Sequence, residues 1–123
     1  MTGTPLATGD VITARLPQQL PGGREQEGYR PAVVLAVPRH SGSMRYPMLV
    51  VAPLTTDWGQ PWIARNALYI CLSAGTGGLP ADSVVLLDQV RALDVTRMAR
   101  LLGTLSAGEY APIQQGLRSL LKL

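Results

Sequence analysis

Over most of this chain apolar residues come in short, β-branched runs punctuated by turn residues, and only near the C-terminus does the period change. Ala32 to Val37 and Met48 to Leu54 are the clearest runs. They are too short for helices and rich in valine, so each predicts a buried strand. Val11 to Leu16, Ala67 to Leu72, Ser83 to Leu87, Val90 to Leu93 and Leu101 to Leu105 predict further strands, the first with imperfect alternation. Between the first two strands, the segment from Pro17 to Tyr29 carries Pro17, Pro21, Gly22, Gly23 and Gly28 and no apolar periodicity, which predicts a long loop. Such a segment buries little to offset its ordering entropy, so it is expected to be mobile until something packs it down.

After Ser106 the spacing becomes helical. Ser106 and Glu109 form a capping box, and Tyr110, Ile113, Leu117, Leu120 and Leu121 share one face at intervals of three and four. Pro112 conflicts with that start, because an interior proline costs about 3 kcal/mol or more. Either the helix carries that cost or it begins regularly near Glu109. The apolar stripe suits the domain's own core and equally suits an interface. The pattern contains no repeat and no domain boundary, so a single, mainly β domain over 1–123 is expected, with 1–8 as a loose lead-in.

Composition narrows the class. A chain of 123 residues can build one core without disulfides, and its single cysteine cannot form an internal bridge. Cys71 lies in an apolar strand and reads as a small buried filler. No apolar run approaches the ~20 residues that span a bilayer, and the N-terminus is unlike a signal, so a cytoplasmic protein is expected. Net charge is +3, with ten arginines and one lysine among the eleven basic residues. Arginine suits phosphate, because its planar fork donates to two oxygens at once.

His40 is the only histidine, which excludes a two-histidine acid/base ribonuclease within one chain; His40 itself could serve as a general acid or simply be a loop residue. There is no metal-ligand cluster, no nucleophile motif around Ser73 or Ser83, and no cofactor signature. The run Ser73 to Gly78 is glycine-rich but lacks the Gly-Lys-Ser/Thr ending of a phosphate loop, so it reads as a turn.

Arg30 stands at the entrance of the second strand, and Pro31 forces it into extended backbone by ring clash. If that strand and the next are antiparallel neighbours, Arg30 comes close to Thr55 and Thr56 at the exit of the other. Arg30 could instead pair with Glu25 or Glu27, and threonine commonly ends strands for its own reasons. Tyr29, Tyr46, Trp58 and Trp62 fall in loops beside basic residues, where they could stack on unpaired bases or pack against the sheet.

Several segments together carry a resemblance. Glu25-Gln26-x-Gly28-x-Arg30-Pro31 with its aliphatic strand, Pro53-Leu54-Thr55-Thr56, Asp82-Ser83-Val84, Asp88-Gln89-Val90-Arg91 and the closing Leu102-Gly103-Thr104-Leu105-Ser106-x-x-Glu109 resemble, in order and spacing, the MazF/PemK toxins of bacterial toxin–antitoxin pairs. The match runs from Gly9 to Leu121. The resemblance implies a small, SH3-like, curved antiparallel β-barrel closed by the C-terminal helix. It implies a bacterial, cytoplasmic homodimer with an antitoxin partner and a groove for single-stranded RNA, closed over by the loop between the first two strands. It implies metal-independent cleavage of messenger RNA, with Arg30 and Thr55 catalytic and Glu25 as candidate base or loop anchor. Arg24, Gln26, Tyr29, Thr56 and Trp58 would touch substrate. The chain departs from the family at Thr13, where an aromatic is frequent, and at Arg24, where serine commonly precedes Glu-Gln. Two other readings are open: a gyrase-inhibiting toxin of the CcdB type, which lacks the arginine, and a non-catalytic binding module of the same fold.

Overall fold

The computed structural model describes residues 5–17, 22–23 and 28–123. Seven strands precede one helix: β1 Asp10–Leu16, β2 Gly28–Ala36, β3 Met48–Thr56, β4 Tyr69–Leu72, β5 Ser83–Leu86, β6 Arg91–Asp94, β7 Met98–Thr104 and α1 Ala107–Leu121. All ladders are antiparallel, in the order β4-β5-β3-β2-β1-β7, with β6 also on β3. The mainly β fold with a C-terminal helix is the expected one. The sheet does not close, however: no ladder joins β4 to β7.

Strand alternation sorts the apolar residues onto two faces. Val11, Val33, Leu35, Ala52, Leu54 and Val85 build one core with Ile113 of α1. Ile12, Ala14, Ala32, Val34, Val51 and Leu93 build a second core on the opposite face. β5 and β6 are two halves of one broken strand along β3. Leu54 faces Val85 and Val51 faces Arg91, and the register jump between them is taken up by the 3-10 turn Leu87–Gln89.

The opening between β4 and β7 is plugged by a second 3-10 turn, Thr76–Gly78. Gly77 and Gly78 have φ of +57° and +76°, and a Cβ on Gly78 would strike the Leu102 carbonyl of β7. A Cβ on Gly103 would in turn lie 2.7 Å from the Gly77 carbonyl. Backbone thus lies directly on backbone, as only glycine permits. The Ser73–Gly78 run is therefore a structural latch.

α1 starts at Ala107. The capping box is formed, with Glu109 N–H donating to Ser106 Oγ (3.1 Å) and Ser106 N–H to Glu109 Oε1 (2.8 Å). Pro112 lies inside the helix and leaves the Gly108 carbonyl without its intrahelical donor. Pro112→Ala restores that donor, and the expected result is a gain of about 1 kcal/mol or more, read as a higher urea midpoint. The helical stripe divides. Tyr110, Ile113 and Leu117 pack on the first core, and Gly116 lets the helix approach Leu87 and the Ala67 carbonyl, while Leu120 and Leu121 are exposed.

The lead-in is tied down from Leu6, which packs on the second core; Thr8 Oγ1 donates to the Leu35 carbonyl (3.0 Å). Buried Asp10 is fully engaged, accepting from Ala7 N–H and Thr104 Oγ1, both at 2.8 Å. No helix among the described residues is long and apolar enough to cross a membrane.

Candidate active site

Arg30 and Thr55 are set in line by register. Ala32 faces Pro53 and Val33 faces Ala52, so the same alignment continued sets Arg30 opposite Thr55. The β2–β3 ladder stops at Ala32–Pro53, and beyond it Thr55 pairs only with Val84 of β5 while Arg30 pairs with Ala14 of β1. Pro31 and Pro53 flank that parting; neither has an N–H to carry the ladder on. Alternation puts both side chains on the face of the second core, with Ala32, Val34 and Val51. Arg30 is exposed and Thr55 half-buried. A guanidinium fork and a hydroxyl thus flank a place where two strands separate.

The other expected site residues distribute unevenly. Arg24, Glu25 and Gln26, and with them most of the Pro17–Tyr29 loop, lie outside the described residues. Gly28 and Tyr29 belong to β2, so the strand begins earlier than the apolar run suggests, and Tyr29 is 71 % exposed at its start. Thr56 alternates to the face opposite Thr55. Its carbonyl accepts from Gln60 Nε2 (3.1 Å), and the same Gln60 takes the Trp58 N–H (2.7 Å), so Thr56 braces the following loop. Trp58 is exposed.

His40 lies in the 3-10 turn Pro38–His40 past the far end of β2, roughly 20 Å or more along the strand from Arg30. Cys71 is exposed, contrary to the buried filler expected. β4 alternates, so Ile70 and Leu72 turn toward the first core and Cys71 away from it. Partial burial and the neighbouring Asp57 carboxylate push its thiol pKa up, which keeps it protonated and a poor nucleophile.

Two groups escaped the sequence reading as site elements. Arg91 of β6 faces Val51 and therefore shares the face of Arg30 and Thr55; the only signal was its place in the Asp88–Arg91 motif. Tyr69 of β4 also lies on this face, packed with Ile63, Val84 and Leu86. Its hydroxyl donates to Asp88 Oδ2 at 2.6 Å, and that bond raises its pKa, so the phenol stays protonated. Among the described residues no group of three His, Cys, Asp or Glu side chains could hold a metal ion.

An open antiparallel sheet followed by a single C-terminal helix is the architecture this chain shares with bacterial MazF toxins. A family model described as PemK-like, MazF-like toxin of type II toxin-antitoxin system matches residues 7–121, and this chain belongs to that family. It is 32 % identical to Endoribonuclease MazF of Staphylococcus epidermidis, over 89 % of this chain and 85 % of the relative. It superposes on the crystal structure of MazF from Deinococcus radiodurans with a TM-score of 0.71 at 28 % identity, covering 94 % of this chain and 96 % of that one. A crystal structure of MazE–MazF from the same organism matches with a TM-score of 0.65 at 30 % identity, covering 94 % and 95 %.

Proposed function

We propose that this toxin is an endoribonuclease that cuts single-stranded RNA, messenger RNA in the bacterial cytoplasm, without a metal ion. The observation that carries the reading is the alignment of Arg30 with Thr55 on one face, where β2 and β3 part. The names of the relatives support the same activity.

In the reaction the ribose 2′-oxygen bonds to the adjacent phosphorus as its proton passes to a base. The bond to the 5′-oxygen breaks, and that oxygen takes up a proton. The ends are a 2′,3′-cyclic phosphate and a 5′-hydroxyl, so DNA, which lacks the nucleophile, is bound and not cut. Charge gathers on the non-bridging oxygens of a five-coordinate phosphorus. Arg30 meets it with a cation that stays protonated, and the Thr55 hydroxyl donates a hydrogen bond. Glu25 serves as base or as anchor of its loop; Arg24, Gln26, Tyr29 and Trp58 contact the strand, and Thr56 holds the loop behind Trp58.

The partners are a cognate antitoxin and a second copy of the chain. The MazE–MazF relative supports the first, and the exposed Leu120, Leu121 and Leu123 support an apolar contact for the second. The antitoxin is acidic where it covers the groove, because a surface that attracts phosphates attracts carboxylates.

The test is cleavage of a defined single-stranded RNA in excess EDTA, with end analysis, beside a gyrase supercoiling assay. The expected result is undiminished cleavage leaving cyclic phosphate ends, with gyrase unaffected. Loss of cleavage that a divalent ion restores would overturn the metal-free mechanism. Gyrase inhibition with intact RNA would replace the reading by a CcdB-type one.

A further inference from the structure

The loop between β3 and β4 carries an aromatic that the domain's core does not use. Trp62 lies in the 3-10 turn Pro61–Ile63 and is 46 % exposed, while its neighbour Ile63 is buried against Val84 and Leu86. Ile63 anchors the turn on the face that carries Thr55, because Val84 is the cross-strand partner of Thr55. The indole is held from below. Its ring meets Tyr69 edge-on at 4.8 Å and 72°, and Tyr69 is fixed in turn by its 2.6 Å bond to Asp88.

The loop backbone is braced as well. Ile63 N–H donates to the Gln60 carbonyl (3.1 Å), and the Gln60 side chain ties Trp58 N–H to the Thr56 carbonyl. Trp62 is therefore a preorganised, half-exposed aromatic ring, which keeps the ordering cost of stacking low. Tyr69 lies two strands from β3 and two residues along from the row of Cys71, Val84 and Thr55. That places it about 12 Å from Thr55 in the plane of the sheet. The distance is too long for the scissile phosphate and suits a nucleotide farther along the same strand.

We propose that Trp62, supported by the Tyr69–Asp88 pair, is a stacking subsite for one unpaired base of the RNA lying outside the cleaved step. The proposal rests on the RNA-cutting reading above. Base-on-aromatic stacking is the recognition open to an exposed indole beside a phosphate-binding face, and it tolerates any base while favouring a fixed register. Tyr69 is a positioning residue: it sets the tilt of Trp62 and touches no substrate.

The test uses the full chain and an RNA oligonucleotide spanning a mapped cleavage site, with a non-cleavable copy bearing a 2′-deoxy sugar at the cut. In a Trp58→Phe protein the remaining tryptophan emission reports Trp62, and the non-cleavable oligonucleotide should quench it on binding. Trp62→Ala should weaken affinity and raise KM about ten- to a hundred-fold with kcat little changed, and Trp62→Phe should recover most of the loss. An abasic site walked along the oligonucleotide should erase the Trp62→Ala penalty at one position only. Tyr69→Phe, which breaks the bond to Asp88 and keeps the ring, should show a smaller rise in KM at that same position.

No quenching in a Trp58→Phe protein that still binds the oligonucleotide, or a Trp62→Ala penalty that persists at every abasic position, would overturn the subsite. A Trp62→Ala protein that binds RNA normally yet fails to bind antitoxin would assign the plane to a protein partner instead. A wild type that binds and quenches but does not cut would sink the nuclease reading and leave the subsite standing on the binding cycle.

Discussion

Arg30→Ala is expected to cleave RNA about 10²–10³-fold more slowly than the wild type while unfolding at the same urea concentration. Two features of its position set that expectation. The side chain is exposed at the start of β2 and belongs to neither core, so its removal empties no cavity. It faces the Thr55 row where the β2–β3 ladder has ended, and the charge it is proposed to stabilise appears only during reaction. Arg30→Lys keeps the charge and loses the planar fork, and an intermediate rate with unchanged stability would locate the effect in the fork geometry. The check is single-turnover cleavage alongside urea unfolding of the same preparations. A folded Arg30→Ala protein cutting at a near-wild-type rate would remove Arg30 from the chemistry.

Gly78→Ala is expected to cost about 3–5 kcal/mol, enough to leave little folded protein in a domain of ordinary stability. Two penalties coincide there. A φ of +76° is strained for any L side chain, and the added methyl would fall on the Leu102 carbonyl, backbone within β7 that cannot rotate aside. Gly103→Ala approaches the same contact from the β7 side, 2.7 Å from the Gly77 carbonyl, and should be similarly severe. Gly42 is the control: its added methyl meets nothing within 4 Å and its φ is not positive, so Gly42→Ala should fall within about 0.5 kcal/mol of wild type. Urea unfolding of the three variants decides it. If Gly78→Ala unfolds beside Gly42→Ala, the glycine turn does not hold the open side of the sheet shut.

The contrast between these two positions explains what was legible in the sequence. Arg30 and Thr55 could be set side by side in advance because the start of one antiparallel strand lies beside the end of the next, and the observed ladder runs to Ala32–Pro53, two residues short of them. The capping box was equally legible, being a local bond between residues three apart. The glycine latch was not, because nothing around Gly77 and Gly78 signals that a distant strand will lie on them. Gly116 against Leu87 is the same case. Cys71 misled because an apolar run gives no hint of which alternate residues face outward in a short outer strand. β4 itself begins at Tyr69, later than the apolar run, because Asn66 draws the backbone into a turn: its side chain accepts Leu68 N–H (3.0 Å) and its carbonyl accepts Tyr69 N–H (3.1 Å). The aromatic support of Trp62 was out of reach for another reason. Trp62, Tyr69 and Asp88 come from three separate segments, and only the fold makes them neighbours.

A sheet that does not close leaves strand edges at which a further strand could be added, and such edges are where β proteins polymerise. Here the chain itself lies against part of one of them. Along β7 the backbone of Gly77 and Gly78 is pressed onto Leu102 and Gly103, and exposed Arg97 and Arg100 add like charge near the strand's start. Along β4, Ile70, Cys71 and Leu72 line an open cleft together with Gly108, Glu109 and Pro112 of α1. Strand addition is therefore hindered where the glycine turn covers Leu102 and Gly103 of β7. Association of a second copy through faces and helix side chains, by contrast, would stop at a closed pair instead of running on into a fibre.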